Sequence, residues 1–62
     1  FVLFFYRPIE DNLFLKIIEL FENKKSYIIT INVKKNSSSK LSILYEKYFS
    51  DVNRNIIIYS NF

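Results

Sequence analysis

The sequence predicts one α/β domain over residues 1–62, two layers thick, with a three-stranded sheet and both helices on one face, in the order β-α-β-α-β. Three observations lead there. A bulky apolar run opens the chain. Two stretches, 13–21 and 40–49, repeat their apolar residues at the helical period. Two further apolar runs, 27–33 and 56–59, are rich in β-branched and aromatic residues.

Residues 1–6 are apolar at odd and even positions alike, the pattern of a strand buried on both faces and hence of a central strand. Arg7 and Pro8 end it, because Pro has no N–H for a ladder and restricts the residue before it. Asp11 or Asn12 then caps a helix by accepting from a free backbone N–H. At about 100° per residue, Leu13, Phe14, Ile17, Ile18, Leu20 and Phe21 share one arc, Lys16, Glu19 and Glu22 lie opposite, and Leu15 falls on the polar side. Lys24 and Lys25 follow, where the helix dipole favours cations.

In residues 27–33, Tyr27, Ile29, Ile31 and Val33 alternate with Ile28, Thr30 and Asn32, so one face turns polar along its length and the strand reads as an edge. Residues 34–39 form the most polar segment, a loop in which Ser37 or Ser38 is a natural N-cap for a second helix over 40–49. On that helix Leu41, Leu44, Tyr45, Tyr48 and Phe49 share an arc and Ile43 is the outlier. After a turn at 50–55, residues 56–59 make the third strand.

A domain this short buries only about 60% of the surface its unfolded chain exposes. With no Cys and no His, neither a disulfide nor a Cys- or His-ligated metal makes up the deficit, which leaves association with a partner. Half of the residues are hydrophobic and 19% aromatic, too many for a disordered charged tail. The longest apolar run, residues 1–6, is far short of the roughly 20 residues that cross a bilayer, so no transmembrane segment is expected. Phe, Ile, Asn, Lys and Tyr, all with AT-rich codons, supply more than half of the chain, and Gly, Ala and Gln are absent. This bias suggests an AT-rich nucleus or, more specifically, an organellar genome, mitochondrial or plastid, of which the mitochondrial matrix is the expected location; no cleavable presequence is visible.

No catalytic signature is present: no Cys or His, no Gly for a phosphate loop, no metal-ligand cluster. The expectation is a non-enzyme with no cofactor and no small-molecule substrate. Glu10 and Asp11, the one adjacent carboxylate pair, read as helix cap and dipole partners rather than as acid and base. If the first two strands are parallel, Arg7, Lys34, Lys35 and Lys40 meet at one end of the sheet, beside Ser37, Ser38 and the start of the second helix. Cations, hydroxyls and a helix N-terminus suit RNA phosphate oxygens; ordinary lysines on a solvated loop are the competing reading. Among the aromatics, Phe1, Phe4, Phe5, Tyr6, Tyr27 and Tyr59 are placed in the core ahead of base stacking. The sheet face opposite the helices is left bare, and Phe1, Leu3, Phe5, Ile57 and Tyr59 are assigned to it as a protein-partner surface.

Arg7, Pro8 and Ile9, the Ser-rich stretch 39–44 and the strand 56–59 resemble the family of the thirtieth protein of the large ribosomal subunit, and the resemblance spans nearly the whole chain. Residues 4–8 and 27–33, with Val52, Arg54 and 56–58, are also similar to the sixth protein of the small subunit, a ferredoxin-like domain, of which the expected fold is then a variant. Both resemblances imply a structural protein of an organellar ribosome, touching rRNA and neighbouring proteins. The alternative is an accessory subunit of a respiratory or other membrane-associated complex, docked through the apolar sheet face.

Overall fold

A computed structural model describes every residue except Arg7, Pro8 and Ser37. The chain runs β1 (Val2–Phe5), α1 (Asp11–Leu20), β2 (Tyr27–Ile31), β3 (Ser42–Phe49) and β4 (Arg54–Ser60). The strands form one sheet in the order β1-β2-β4-β3. β1 and β2 are parallel, and β4 lies antiparallel to both of its neighbours, so β3 points the same way as β1 and β2.

This corrects the expected β-α-β-α-β order: the described residues contain one helix, and residues 42–49 are a fourth strand. The helical spacing of Leu41, Leu44, Tyr45 and Tyr48 has a specific origin. β3 pairs Ile43 with Tyr59 and Tyr45 with Ile58, leaving Leu44 as the extra residue of a bulge. A bulge breaks the period of two, and the shifted alternation imitates a period near 3.6. Strand positions are corrected as well. β1 is an edge rather than the centre, and β2 is central rather than an edge. β1 reads as buried on both faces because its outer face is apolar and uncovered, not because a layer covers it.

α1 begins at Glu10, whose side chain makes no capping bond, and Asp11 sits in the first turn, where its charge suits the dipole. The helix buries Phe14 and Ile18, while Leu13 and Leu20 are exposed, so the inward stripe is narrower than the sequence arc. Phe14 and Ile18 pack on Ile28, Ile57 and Tyr59, with Leu3 and Phe5 partly buried at the flank. Phe14 meets Phe5 edge-on at 5.1 Å and Tyr59 at 6.2 Å between ring centroids. Thr30, expected on a polar face, lies in this layer; its hydroxyl donates to the Ile57 carbonyl at 3.3 Å, which satisfies it.

Beside the helix, residues 33–36 and 38–41 lie on the same side of the sheet as irregular chain. Asn32 leaves β2 with a positive φ of 60°, a conformation Asn tolerates. Val33 and Leu41 are buried, and the Asn36 N–H donates to the Tyr59 hydroxyl at 3.0 Å. Asn61 secures the opposite end of the molecule. Its amide nitrogen donates to the Phe21 and Lys24 carbonyls, both at 3.1 Å, and its amide oxygen accepts from the Ser26 N–H at 2.9 Å. No helix among the described residues is long and apolar enough to cross a membrane.

Candidate docking surface

Pairing register decides which side chains lie under α1. Leu3 and Phe5 are level with Ile28 and Thr30, which are level with Tyr59 and Ile57, so all of these share the helix-covered face. The residues between them point the other way. β1 contributes Val2 and Phe4, β2 Tyr27, Ile29 and Ile31, β4 Ile56 and Ile58, and β3 Tyr45, Lys47 and Phe49. No element of the described chain covers this face. Val2 is 64% exposed, Phe4 57%, Tyr45 47% and Tyr27 45%, and the four isoleucines of the two central strands are half-buried by one another.

The face has an aliphatic middle and aromatic margins. Phe4 stacks on Tyr6 at 6.4 Å along one edge, and Tyr27 meets Phe62 edge-on at 5.3 Å at one end. Two lysines sit on the marginal rings: Lys25 Nζ lies 5.9 Å from the Phe62 centroid and Lys47 Nζ 5.0 Å from that of Phe49. Arg54, level with Phe49, adds a third cation at this face's register positions. The carboxylates lie elsewhere. Glu10, Asp11, Glu19 and Glu22 belong to α1 and its ends, Glu46 faces the helix side and bonds Lys35, and Asp51 is in the turn between β3 and β4.

The partner face assigned from sequence is therefore corrected in its parity. Ile57 and Tyr59 are fully buried beneath the helix layer, and Leu3 and Phe5 belong to the same layer. Phe1 is exposed, but its ring packs edge-on against Phe21 at 5.7 Å, at the end of α1. The uncovered set is its complement. One signal in the sequence marks it: Arg54 shares its parity with Ile56 and Ile58, and a charged residue belongs on the wet side of a strand.

Among the described residues, Lys34, Lys35 and Lys40 of the expected phosphate cluster are not brought together. β1 and β2 are parallel, as that idea required, but Arg7 and Ser37 lie outside the described residues. With 42–49 a strand, no helix N-terminus stands behind the loop. Lys34 leaves the far end of β2, and Lys35 reaches Glu46 at 3.2 Å. Lys40 lies at the opposite end, in a groove with Ile18, Glu19, Glu22 and Asn61, where its Nζ is 3.9 Å from a Glu22 carboxylate oxygen. Ser38 is spent locally: its N–H donates to the Asn36 side-chain oxygen at 2.9 Å, and its hydroxyl oxygen accepts from the Lys40 N–H at 3.2 Å. No protein-family model matches the chain, and no curated protein or solved structure matches it significantly.

Proposed function

We propose that this chain is a non-catalytic structural module, held in a larger assembly by a protein partner that covers the helix-free face of its sheet. One observation carries the reading. Among the described residues a four-stranded sheet is covered by one helix, which leaves a largely apolar face, from Val2 and Phe4 through Ile29, Ile31, Ile56 and Ile58 to Tyr45 and Phe49, with Lys47 and Arg54 at its far end. Contiguous apolar faces of this kind mark interaction sites in soluble proteins, and a chain of 62 residues has little other core to spare. The test is native purification of the tagged chain, followed by size determination of the particle. The expected result is co-purification that Ile58→Lys abolishes while the helix signal in circular dichroism persists. A monomer in its native extract, with Ile58→Lys indistinguishable from the parent, refutes it.

A second reading, a protein of an organellar ribosome in the mitochondrial matrix that touches rRNA, is favoured by the cations Lys25, Lys47 and Arg54 around the same face and by the predominance of residue types with AT-rich codons. Co-sedimentation with ribosomal particles that weakens steeply as salt rises supports it. Loss from those particles after mild membrane solubilisation moves the chain to a membrane-associated complex.

A further inference from the structure

We propose that the occupant of the helix-free face is an amphipathic helix of a partner protein with carboxylates flanking its apolar stripe, laid along the strip formed by β2 and β4. This rests on the docking reading above and names the partner's chemistry. The covered side of the same sheet supplies the template. There α1, with ten residues, clusters Phe14 and Ile18 with Ile28 of β2 and Ile57 and Tyr59 of β4, with Phe5 of β1 at the flank. The uncovered side repeats the strip with Ile29, Ile31, Ile56 and Ile58, which are paired across the same two strands. Adjacent strands lie about 4.8 Å apart, so two of them present a ridge about as wide as a helix, roughly 10 Å across. β2, five residues long, spans about 17 Å, which at 1.5 Å per residue is about eleven residues of helix.

Charge then selects among occupants. Lys25 stands at one end of the strip with Tyr27 and Phe62, while Lys47 and Arg54 stand toward the other end, and no strand position on this face carries a carboxylate. A second copy would set these cations against their equivalents across a two-fold axis, which costs affinity. Single-stranded nucleic acid would answer the charge but stacks on aromatic rings, and the middle of this face is isoleucine. An acidic-flanked apolar helix satisfies both features.

The experiment uses the full chain and three fluorescent probes: a fourteen-residue helical peptide with a leucine stripe and glutamate flanks, the same peptide with lysine flanks, and an oligouridine RNA. The glutamate peptide is expected to bind at least about tenfold more tightly than the lysine peptide at low salt. The double variant Lys47→Glu and Arg54→Glu should reverse that order, and Ile58→Thr should weaken the glutamate peptide by about tenfold. Circular dichroism checks folding; Tyr45→Ser replaces Ile58→Thr if the latter fails to fold. Equal affinities, or an order that survives charge reversal, overturn the acidic helix but leave the docking reading intact if Ile58→Thr still weakens binding. Binding by neither peptide, or binding blind to Ile58 and Tyr45, removes this face as the site altogether. RNA that competes with the peptide, or a dimer dissolved by Ile58→Thr, replaces the proposed helix by nucleic acid or by a second copy.

Discussion

Removing a single oxygen from Tyr59 tests the packing most directly. Its ring is fully buried beside Phe14 and the irregular residues 33–36, and its hydroxyl accepts from the Asn36 N–H at 3.0 Å. Tyr59→Phe keeps the ring and leaves that part-buried amide without its partner, a loss of about 1–2 kcal/mol. A chain of 62 residues has a total stability of about 3–9 kcal/mol at ordinary per-residue values. The variant should therefore fold, with a visibly lower urea midpoint. Tyr59→Ala removes the whole ring at about 3–5 kcal/mol, which brings the chain to the edge of unfolding. Urea titration followed by far-ultraviolet circular dichroism measures both, and hydrogen exchange at the Asn36 amide locates the effect. Were Tyr59→Phe within about 0.3 kcal/mol of the parent with Asn36 exchange unchanged, the ring would not lie under this segment, and the assignment of faces would have to be reversed.

Other perturbations bear on the remaining elements. Amide exchange along β3 should alternate between slow and fast, with a break at Leu44, because an edge strand pairs only every second N–H; uniform protection would instead indicate a helix. Lys35 and Glu46 are joined by a salt bridge whose side chains remain 50% and 43% exposed, so a double-mutant cycle to Ala should give a coupling below about 0.5 kcal/mol, and a coupling several times larger would contradict the exposure. Asn53 holds a φ of 50° in the β3–β4 turn; Asn53→Val should lower the melting temperature by the equivalent of about 1–2 kcal/mol while Asn53→Gly leaves it nearly unchanged, and equal effects would place the turn in another conformation.

The legible part of the fold is the part whose apolar pattern no bulge interrupts. α1 keeps the helical period and β2 the alternation of a strand, while β1 and β4 are short runs of apolar β-formers, and each lies close to where the apolar residues of the sequence place it. β3 is the exception. Four of its eight residues, Ile43, Tyr45, Tyr48 and Phe49, are β-branched or aromatic, which favours a strand, but the bulge at Leu44 disguises the alternation as a helical stripe. A second helix supplied an N-terminus for the imagined phosphate site and reduced the sheet to three strands. Face assignment failed for a different reason. Residues 2–5 and 56–59 are apolar on both sides, so apart from the parity of Arg54 the local pattern does not say which set meets α1; the packing of Phe14 and Ile18 on Ile28, Ile57 and Tyr59 decides it. Thr30 misled in the same direction, since its hydroxyl is satisfied inside the core by the Ile57 carbonyl.

A sheet can recruit a partner through its edges or through its face, and here the edges are poorly suited. β3 is the long edge, but it carries the bulge, Glu46 bonded to Lys35 on one side and Lys47 on the other. Charges and bulges are the devices that keep an edge strand from accepting another. β1, the opposite edge, offers only the four residues Val2–Phe5, fewer than an added strand ordinarily pairs with. The same Lys47 that blunts the edge also overlies Phe49 on the helix-free face, so one residue both discourages strand addition and places positive charge beside the apolar strip. An added strand would pair with the edges and leave the isoleucines wet, whereas a layer laid across the face buries them. That asymmetry is why the docking surface is assigned to the face.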